Sequence, residues 1–285
     1  MSDFMNIVEC PRDAMQGWNH FIPTAEKVRY INALMKVGFD TIDFGSFVSP
    51  KVIPQMQDTR EVLAGLDFSE SSSKLLAIIA NLRGAAEASL FKQIDYLGYP
   101  FSVSETFQLR NANATIDQSL ETVAKIAAIC QNANKKLVVY MSMAFGNPYG
   151  DAYTPEIVYG WVEKIKDLGV DIISLADTVG LATSEQVFTL TDYLIKSLPA
   201  QEFGVHLHSG PDNWQQKLQA ALDAGCRRFD GALKGIGGCP MADDVLVGNM
   251  NTEWMTTYFE SQGFKLNINK PALEIASEIA GNVFI

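Results

Sequence analysis

Only three histidines occur in the 285-residue chain, and two of them, His206 and His208, stand one residue apart in "FGVHLHSGPD" (203–212). Alternate residues of an extended strand project to one face, so two imidazoles at this spacing converge on one point. Two nitrogen donors begin a divalent-metal site without completing it. A carboxylate from elsewhere would add oxygen and negative charge, and Asp13 is the first candidate. The alternative is a pair of strand histidines making ordinary hydrogen bonds. Arg12 precedes Asp13 in "CPRDAMQ", and further acids are Asp43 in "TIDFGSF" and Asp177 in "SLADTVG". Arg12 is either a fixed positive charge for chemistry or half of a surface ion pair of little energetic value. Asp177 serves equally as a helix cap or turn residue, and Asp43 as a buried carboxylate that supports loops. "GIGGCP" is different in kind. Gly235, Gly237 and Gly238 permit backbone conformations closed to other residues, so Cys239 reads as a thiol on a loop that closes over the site. A plain glycine-rich turn with an incidental thiol is the other reading. Pro240 favours a helix start after it.

Elements able to position these residues are legible. Short apolar, β-branched runs fall at 6–10, 41–47, 74–80, 100–105, 136–144, 171–177, 203–208 and 227–233, eight in all. Helical patterns alternate with them, among them 24–38, 154–169, 183–198 and 211–225. Thr24 reads as the N-cap of the first, and Pro155 as the first residue of the second. Near-continuous apolar strands alternating with helices imply a parallel sheet covered on both faces. Eight such units predict a closed (β/α)₈ TIM barrel, a single α/β domain over 1–285, with chemistry at the C-terminal strand ends. A doubly wound open sheet is the alternative, and the absence of a GxGxxG after the first strand weakens its dinucleotide-binding form.

Composition excludes several classes. With 47% hydrophobic and 19% charged residues the chain is ordinary globular protein. Its formal charge of −11 argues against nucleic acid or an anionic membrane surface as partner. Cys10, Cys130, Cys226 and Cys239 are too sparse for a disulfide scaffold and lack zinc-finger spacing, so reduced thiols in the cytoplasm are expected. No apolar run reaches the length of a membrane span, and "MSDFMNIVECPRD" lacks the pattern of a signal peptide.

The motifs "PRDAMQ", "SFVSPKVIPQM", "SLADTVG", "VHLH" and "GIGGCP…GN" resemble the 3-hydroxy-3-methylglutaryl-CoA lyase family. They run in family order over nearly the whole chain, and "SFVSPK" with "PQM" and "GIGGCPMA" are its most specific parts. The wider group is the metal-dependent TIM-barrel lyases and Claisen-type synthases, which include pyruvate carboxyltransferase-like domains. The resemblance implies Mg²⁺ or Mn²⁺ held by Asp13, His206, His208 and Asn249. It implies that Arg12 stabilises an enolate oxygen, that Cys239 is catalytic, that Asp43 supports the site in place of a usual Glu, and that Asp177 matches the sixth-strand acid.

The implied reaction cleaves a 3-hydroxyacyl-CoA, with 3-hydroxy-3-methylglutaryl-CoA giving acetyl-CoA and acetoacetate. His206 or Asp13 would be the base. A homodimer and a place in leucine degradation and ketone-body metabolism are the further expectations. Rival readings are a Claisen-type synthase condensing an acyl-CoA with a 2-oxo acid, a 4-hydroxy-2-oxo acid aldolase, and a non-catalytic binding barrel. The chain also departs from the family pattern. Asn19 stands where a Lys is usual, beside Trp18, and Ser209 replaces an Asp after the second histidine. These departures predict a preference for a bulkier or less charged acyl group.

Overall fold

A computed structural model describes residues 4–238 and 247–285. Eight parallel strands close on themselves in chain order. They are β1 (Asn6–Glu9), β2 (Thr41–Ser46), β3 (Lys74–Ile78), β4 (Ile94–Ser102), β5 (Lys136–Ser142), β6 (Ile172–Asp177), β7 (Glu202–Leu207) and β8 (Arg228–Gly231). β1 pairs with β2 on one side and β8 on the other, which closes the barrel. The described helices are α1 (Pro11–Gln16), α2 (Thr24–Met35), α3 (Thr59–Ala64), α4 (Leu82–Ala88), α5 (Glu105–Ala112), α6 (Ile116–Asn132), α7 (Pro155–Asp167), α8 (Ser184–Ser197), α9 (Trp214–Asp223), α10 (Thr252–Ser261) and α11 (Lys270–Val283). The expected (β/α)₈ barrel is therefore the fold. Among the described residues no helix is long and apolar enough to cross a membrane.

Strand parity divides the core. Leu76, Ile78, Val138, Tyr140 and Ile172 form a small cluster of their own. Their neighbours Leu75, Ala77, Val139 and Ile173 belong to the large cluster shared with the helices. Period-two alternation thus sends one set to the barrel interior and the other under the helical layer. Each fully buried Leu or Ile contributes about 1.5–3 kcal/mol relative to exposure.

Local chemistry sets the helix starts. The Thr154 hydroxyl accepts from Ile157 N and Pro155 is the first residue of α7, as expected. α8 has a reciprocal capping box between Thr183 and Gln186. α2 differs from expectation: Pro23 takes the N-cap position, and the Thr24 hydroxyl donates to Asp58 Oδ2 at 2.7 Å. β4 also differs. It begins at Ile94 rather than residue 100 and ends at Ser102, because Pro100 lies inside the strand opposite Tyr140. Val103 leaves the strand, and Ser104 caps α5 by accepting from Phe107 N.

Two irregularities bear on the barrel mouth. The β2–β3 register shifts between Asp43 and Gly45, a bulge of the kind that re-aims a side chain. After β8 the chain folds back: Ala232 N donates to Met250 O at 2.9 Å and Ser209 N to Gly248 O at 3.0 Å. Asn249 is thereby bridged to His208.

Candidate active site

His206 lies in β7 and His208 immediately follows it, with ring centroids 5.2 Å apart. Each ring is fixed through Nδ1. That of His206 is 3.1 Å from Asp230 Oδ2, and that of His208 is 3.0 Å from the Thr178 carbonyl oxygen. His208 Nε2 is buried with no hydrogen-bond partner among the described residues. One ligand atom from each of Asp13, His206 and His208 lies within 4.8 Å of the others. Asn249 Nδ2 donates to Asp13 Oδ2 at 2.8 Å and to Ile236 O at 2.9 Å, which leaves its amide oxygen for a further bond. An orphaned buried imidazole nitrogen beside a carboxylate, a second imidazole and an amide oxygen fits a divalent cation.

Charge states suit that use. Burial, helped by His206, pulls His208 down to about 4, and a neutral imidazole is the form that ligates. Burial opposes ionisation of Asp13, but Arg12, both histidines and the Asn249 bond outweigh it and hold the carboxyl below its usual range. For His206, burial opposes charge, and the Asp230 bond outweighs it and raises the imidazole. Cys10, His206 and Asp230 form a second close group. Burial, reinforced by Asp230, Asp43, Asp13 and Glu9, pushes the Cys10 thiol well up, so it stays protonated and is a poor ligand.

Arg12 is carried on α1, whose entry Pro11 fits the first helical position. Its Nε is 3.0 Å and its Nη2 2.6 Å from Asp43 Oδ2. Its Nη1 donates to Asp13 Oδ1 at 3.0 Å and to Gln16 Oε1 at 2.8 Å. A guanidinium has five N–H donors, so one on Nη2 is left over among these bonds. The pairing with Asp13 and Asp43 is buried, not a surface ion pair. Burial pushes Asp43 up to about 6 against the pull of Arg12.

Asp177 ends β6 but makes a structural tie. Its Oδ2 accepts from Lys217 Nζ at 2.7 Å and its Oδ1 from Ala182 N at 3.1 Å. Lys217 Nζ also donates to His208 O at 2.9 Å and Gly180 O at 3.0 Å. Asp177 therefore acts on the site through Lys217 and the His208 backbone.

A cavity of about 300 Å³ opens where these groups meet. Arg12, Asp13, His206 and His208 supply its polar side, and Val48, Val52, Ile53, Ile78 and Phe107 an apolar wall. Asn19, Trp18 and Ser209 do not line it. Asn19 is exposed, the Trp18 ring packs edge-on to Phe284, and the Ser209 hydroxyl points to Met250 Sδ at 3.5 Å. Among the described residues these three positions therefore lie outside the wall of this cavity. Gly235, Gly237 and Gly238 all adopt positive φ, at 66°, 105° and 141°. At Gly237 a Cβ would lie 2.5 Å from Asn249 Nδ2 and 3.0 Å from Asp13 O, so a bare backbone is required there. Cys239 and Pro240 lie outside the described residues.

The sequence profile of the HMGL-like family matches residues 6–279. The chain belongs to the HMGL-like family. Hydroxymethylglutaryl-CoA lyase of Bacillus subtilis is 32% identical over 268 residues, which cover 94% of this chain and 89% of the relative. The human mitochondrial hydroxymethylglutaryl-CoA lyase is 33% identical over 272 residues, 93% of this chain and 81% of the relative. Among solved structures, an HMG-CoA lyase from Acenitobacter baumannii in complex with coenzyme A and 3-methylmalate superposes with a TM-score of 0.91 at 32% identity, covering 100% of this chain and 92% of that one.

Within this HMGL-like barrel, the sequence reading missed Asp230, Gln16, Lys217 and Glu9. Each left the same faint signal, a polar or charged side chain inside an apolar strand or on a helix face turned inward. Asp230 sits in "RRFDGAL", Lys217 in "WQQKLQAALD" and Glu9 in "NIVEC". All three are buried, and burial of such groups demands a partner.

Proposed function

We propose that this protein is a metal-dependent carbon–carbon lyase that cleaves a 3-hydroxyacyl-CoA, foremost 3-hydroxy-3-methylglutaryl-CoA, to acetyl-CoA and acetoacetate. The observation that carries this reading is the convergence of Asp13, His206 and His208 at the barrel mouth, with Arg12 beside them. Asp13, His206, His208 and Asn249 would hold Mg²⁺ or Mn²⁺, and a cation there supplies the Lewis acidity that makes a substrate hydroxyl easier to deprotonate.

The remaining work falls to side chains. Asp13 or His206 takes the 3-hydroxyl proton. The oxygen's electron pair then forms the ketone, the C2–C3 bond breaks, and its electrons pass to the thioester as an enolate. Arg12, anchored by Asp43, keeps one N–H and a permanent charge for the oxygen on which negative charge grows. Cys239 is assigned the return of a proton to the enolate carbon. The apolar wall of Val48, Val52, Ile53 and Phe107 excludes water from that carbanion-like centre. An acyl-CoA as substrate is supported by the coenzyme A in the Acenitobacter baumannii relative. Free, buried Cys10, Cys130 and Cys226 fit a reducing compartment, and the cytoplasm is the proposed location.

Purified protein and its His208→Ala variant test the reading. Calorimetry with Mn²⁺ measures binding, and a panel of 3-hydroxyacyl-CoA thioesters and 2-oxo acids with acetyl-CoA measures the reaction. Release of acetyl-CoA from a thioester, lost in the variant together with at least about 100-fold in Mn²⁺ affinity, is the expected result. Unchanged Mn²⁺ affinity in His208→Ala sinks the metal site. Consumption of acetyl-CoA with a 2-oxo acid, and none released from thioesters, identifies a synthase instead.

A further inference from the structure

Glu9 ends β1 with no exposed surface and does not line the cavity; its carboxyl meets Leu233 and Thr252 of α10 and faces Tyr30 of α2. Oε1 accepts from Leu233 N at 2.8 Å. Oε2 accepts from Thr252 Oγ1 at 2.6 Å. These partners are the departing and returning ends of the segment that joins β8 to α10. The two ends also meet directly, since Thr252 N donates to Ala232 O at 3.2 Å. Asn249 lies three residues before Thr252, and its side-chain amide is tied to Ile236 O, three residues after Leu233. We propose that Glu9 is a positioning residue that sets the place of Asn249 beside Asp13 by joining both ends of this segment with one carboxyl group. The inference rests on Asn249 being a metal ligand, as in the reading above.

The surroundings explain why a carboxyl can serve here. Burial pushes Glu9 up to about 8, and the bonds to Thr252 and Leu233 only partly offset this, while Glu253 adds to it. The charged or titratable groups that face it are Glu253 on α10, Tyr30 on α2 and Cys10 on its own strand. None of these is a cation. One carboxyl therefore bridges the two ends by accepting at both oxygens, from Leu233 N at Oε1 and from the Thr252 hydroxyl at Oε2. Glutamine keeps the acceptor for Leu233 N in the same volume and can donate to the Thr252 hydroxyl, which turns to accept, whereas leucine reproduces only the volume. Glu253 braces the adjacent residue, accepting from Lys234 N at 3.0 Å, so the departing end is held at two successive amides.

The test compares Glu9→Leu, Glu9→Gln and His208→Ala with the unmodified full-length protein. Mn²⁺ affinity is measured by electron paramagnetic resonance, kcat and KM by acetyl-CoA release, and folding by circular dichroism in EDTA. Glu9→Leu is expected to weaken Mn²⁺ binding about 10-fold and to lower kcat more than it raises KM. Glu9→Gln is expected to restore both to within about threefold of the original. Should Glu9→Leu fail to fold, Thr252→Val replaces it, with an expected loss of about threefold to 10-fold in Mn²⁺ affinity. A folded Glu9→Leu or Thr252→Val with unchanged Mn²⁺ affinity overturns the proposal, as does Glu9→Gln as defective as Glu9→Leu. If those variants bind normally while His208→Ala does not, the metal reading stands and the role of Glu9 falls. If His208→Ala also binds normally, both fall.

Discussion

Replacing Lys217 by methionine isolates the tie beneath His208. The ammonium has three N–H donors, and all three are used, on Asp177 Oδ2, His208 O and Gly180 O at 2.7, 2.9 and 3.0 Å. Both partners of the ion pair are buried, with side chains 2% and 3% exposed. Lys217→Met keeps the aliphatic volume and leaves a buried carboxylate without its counter-charge. Removing one partner of a buried pair costs about 3–5 kcal/mol. At about 2.1 cal/mol/K per residue, this 285-residue chain has an unfolding entropy of about 0.6 kcal/mol/K. The expected fall in Tm is therefore about 5–8 °C, read by differential scanning calorimetry in EDTA. Release of the His208 carbonyl should also weaken Mn²⁺ binding about 10-fold. Adding Asp177→Asn removes the stranded charge, so the double variant should regain at least half of the lost stability. A Tm within about 2 °C of the original, or a double variant less stable than Lys217→Met, would refute the argument.

Three further expectations follow from the same geometry. Arg12→Lys keeps the charge but cannot span Asp43, Asp13 and Gln16 together, so kcat should fall about 100-fold with little change in KM, as steady-state assay of acetyl-CoA release would show. Gly237→Ala places a methyl group on Asn249 Nδ2 at a φ of 105°, so Mn²⁺ affinity should drop about 10-fold or more in titration, and an unaltered affinity would contradict the packing described. Glu9 makes stability depend on pH. Its folded value of about 8 exceeds the ordinary value of 4.5, so the folded state binds the extra proton between the two. Its stabilising contribution is complete below about pH 4.5 and is lost as pH rises through about 8. Thermal melts from pH 5 to 9 should show a falling Tm that is flatter in Glu9→Gln, and parallel curves would exclude the linkage.

The barrel was legible in the sequence because strands covered on both faces leave apolar runs that local pattern alone displays. Its boundaries were less so. Pro100 reads as a strand start, yet it sits inside β4, and Thr24 reads as a cap although Asp58, far along the chain, claims its hydroxyl. The same division holds at the site. His206 and His208 declared themselves because their relation is a two-residue period, and Arg12 with Asp13 because a strand end precedes them. The polar groups that orient these residues have no such period. Asp230 meets His206 across 24 residues, Lys217 meets Asp177 across 40, and Glu9 meets Leu233 across 224. What the chain does show locally is the cost each would incur alone, a charge placed where its neighbours are buried. Such a residue forces a partner to exist without naming it, and the closed barrel supplies that partner by bringing β1 against β8 and α9 beneath β7. The candidate site groups can therefore be read from spacing, whereas the groups that hold them in place can be read only as unpaired charges awaiting a fold.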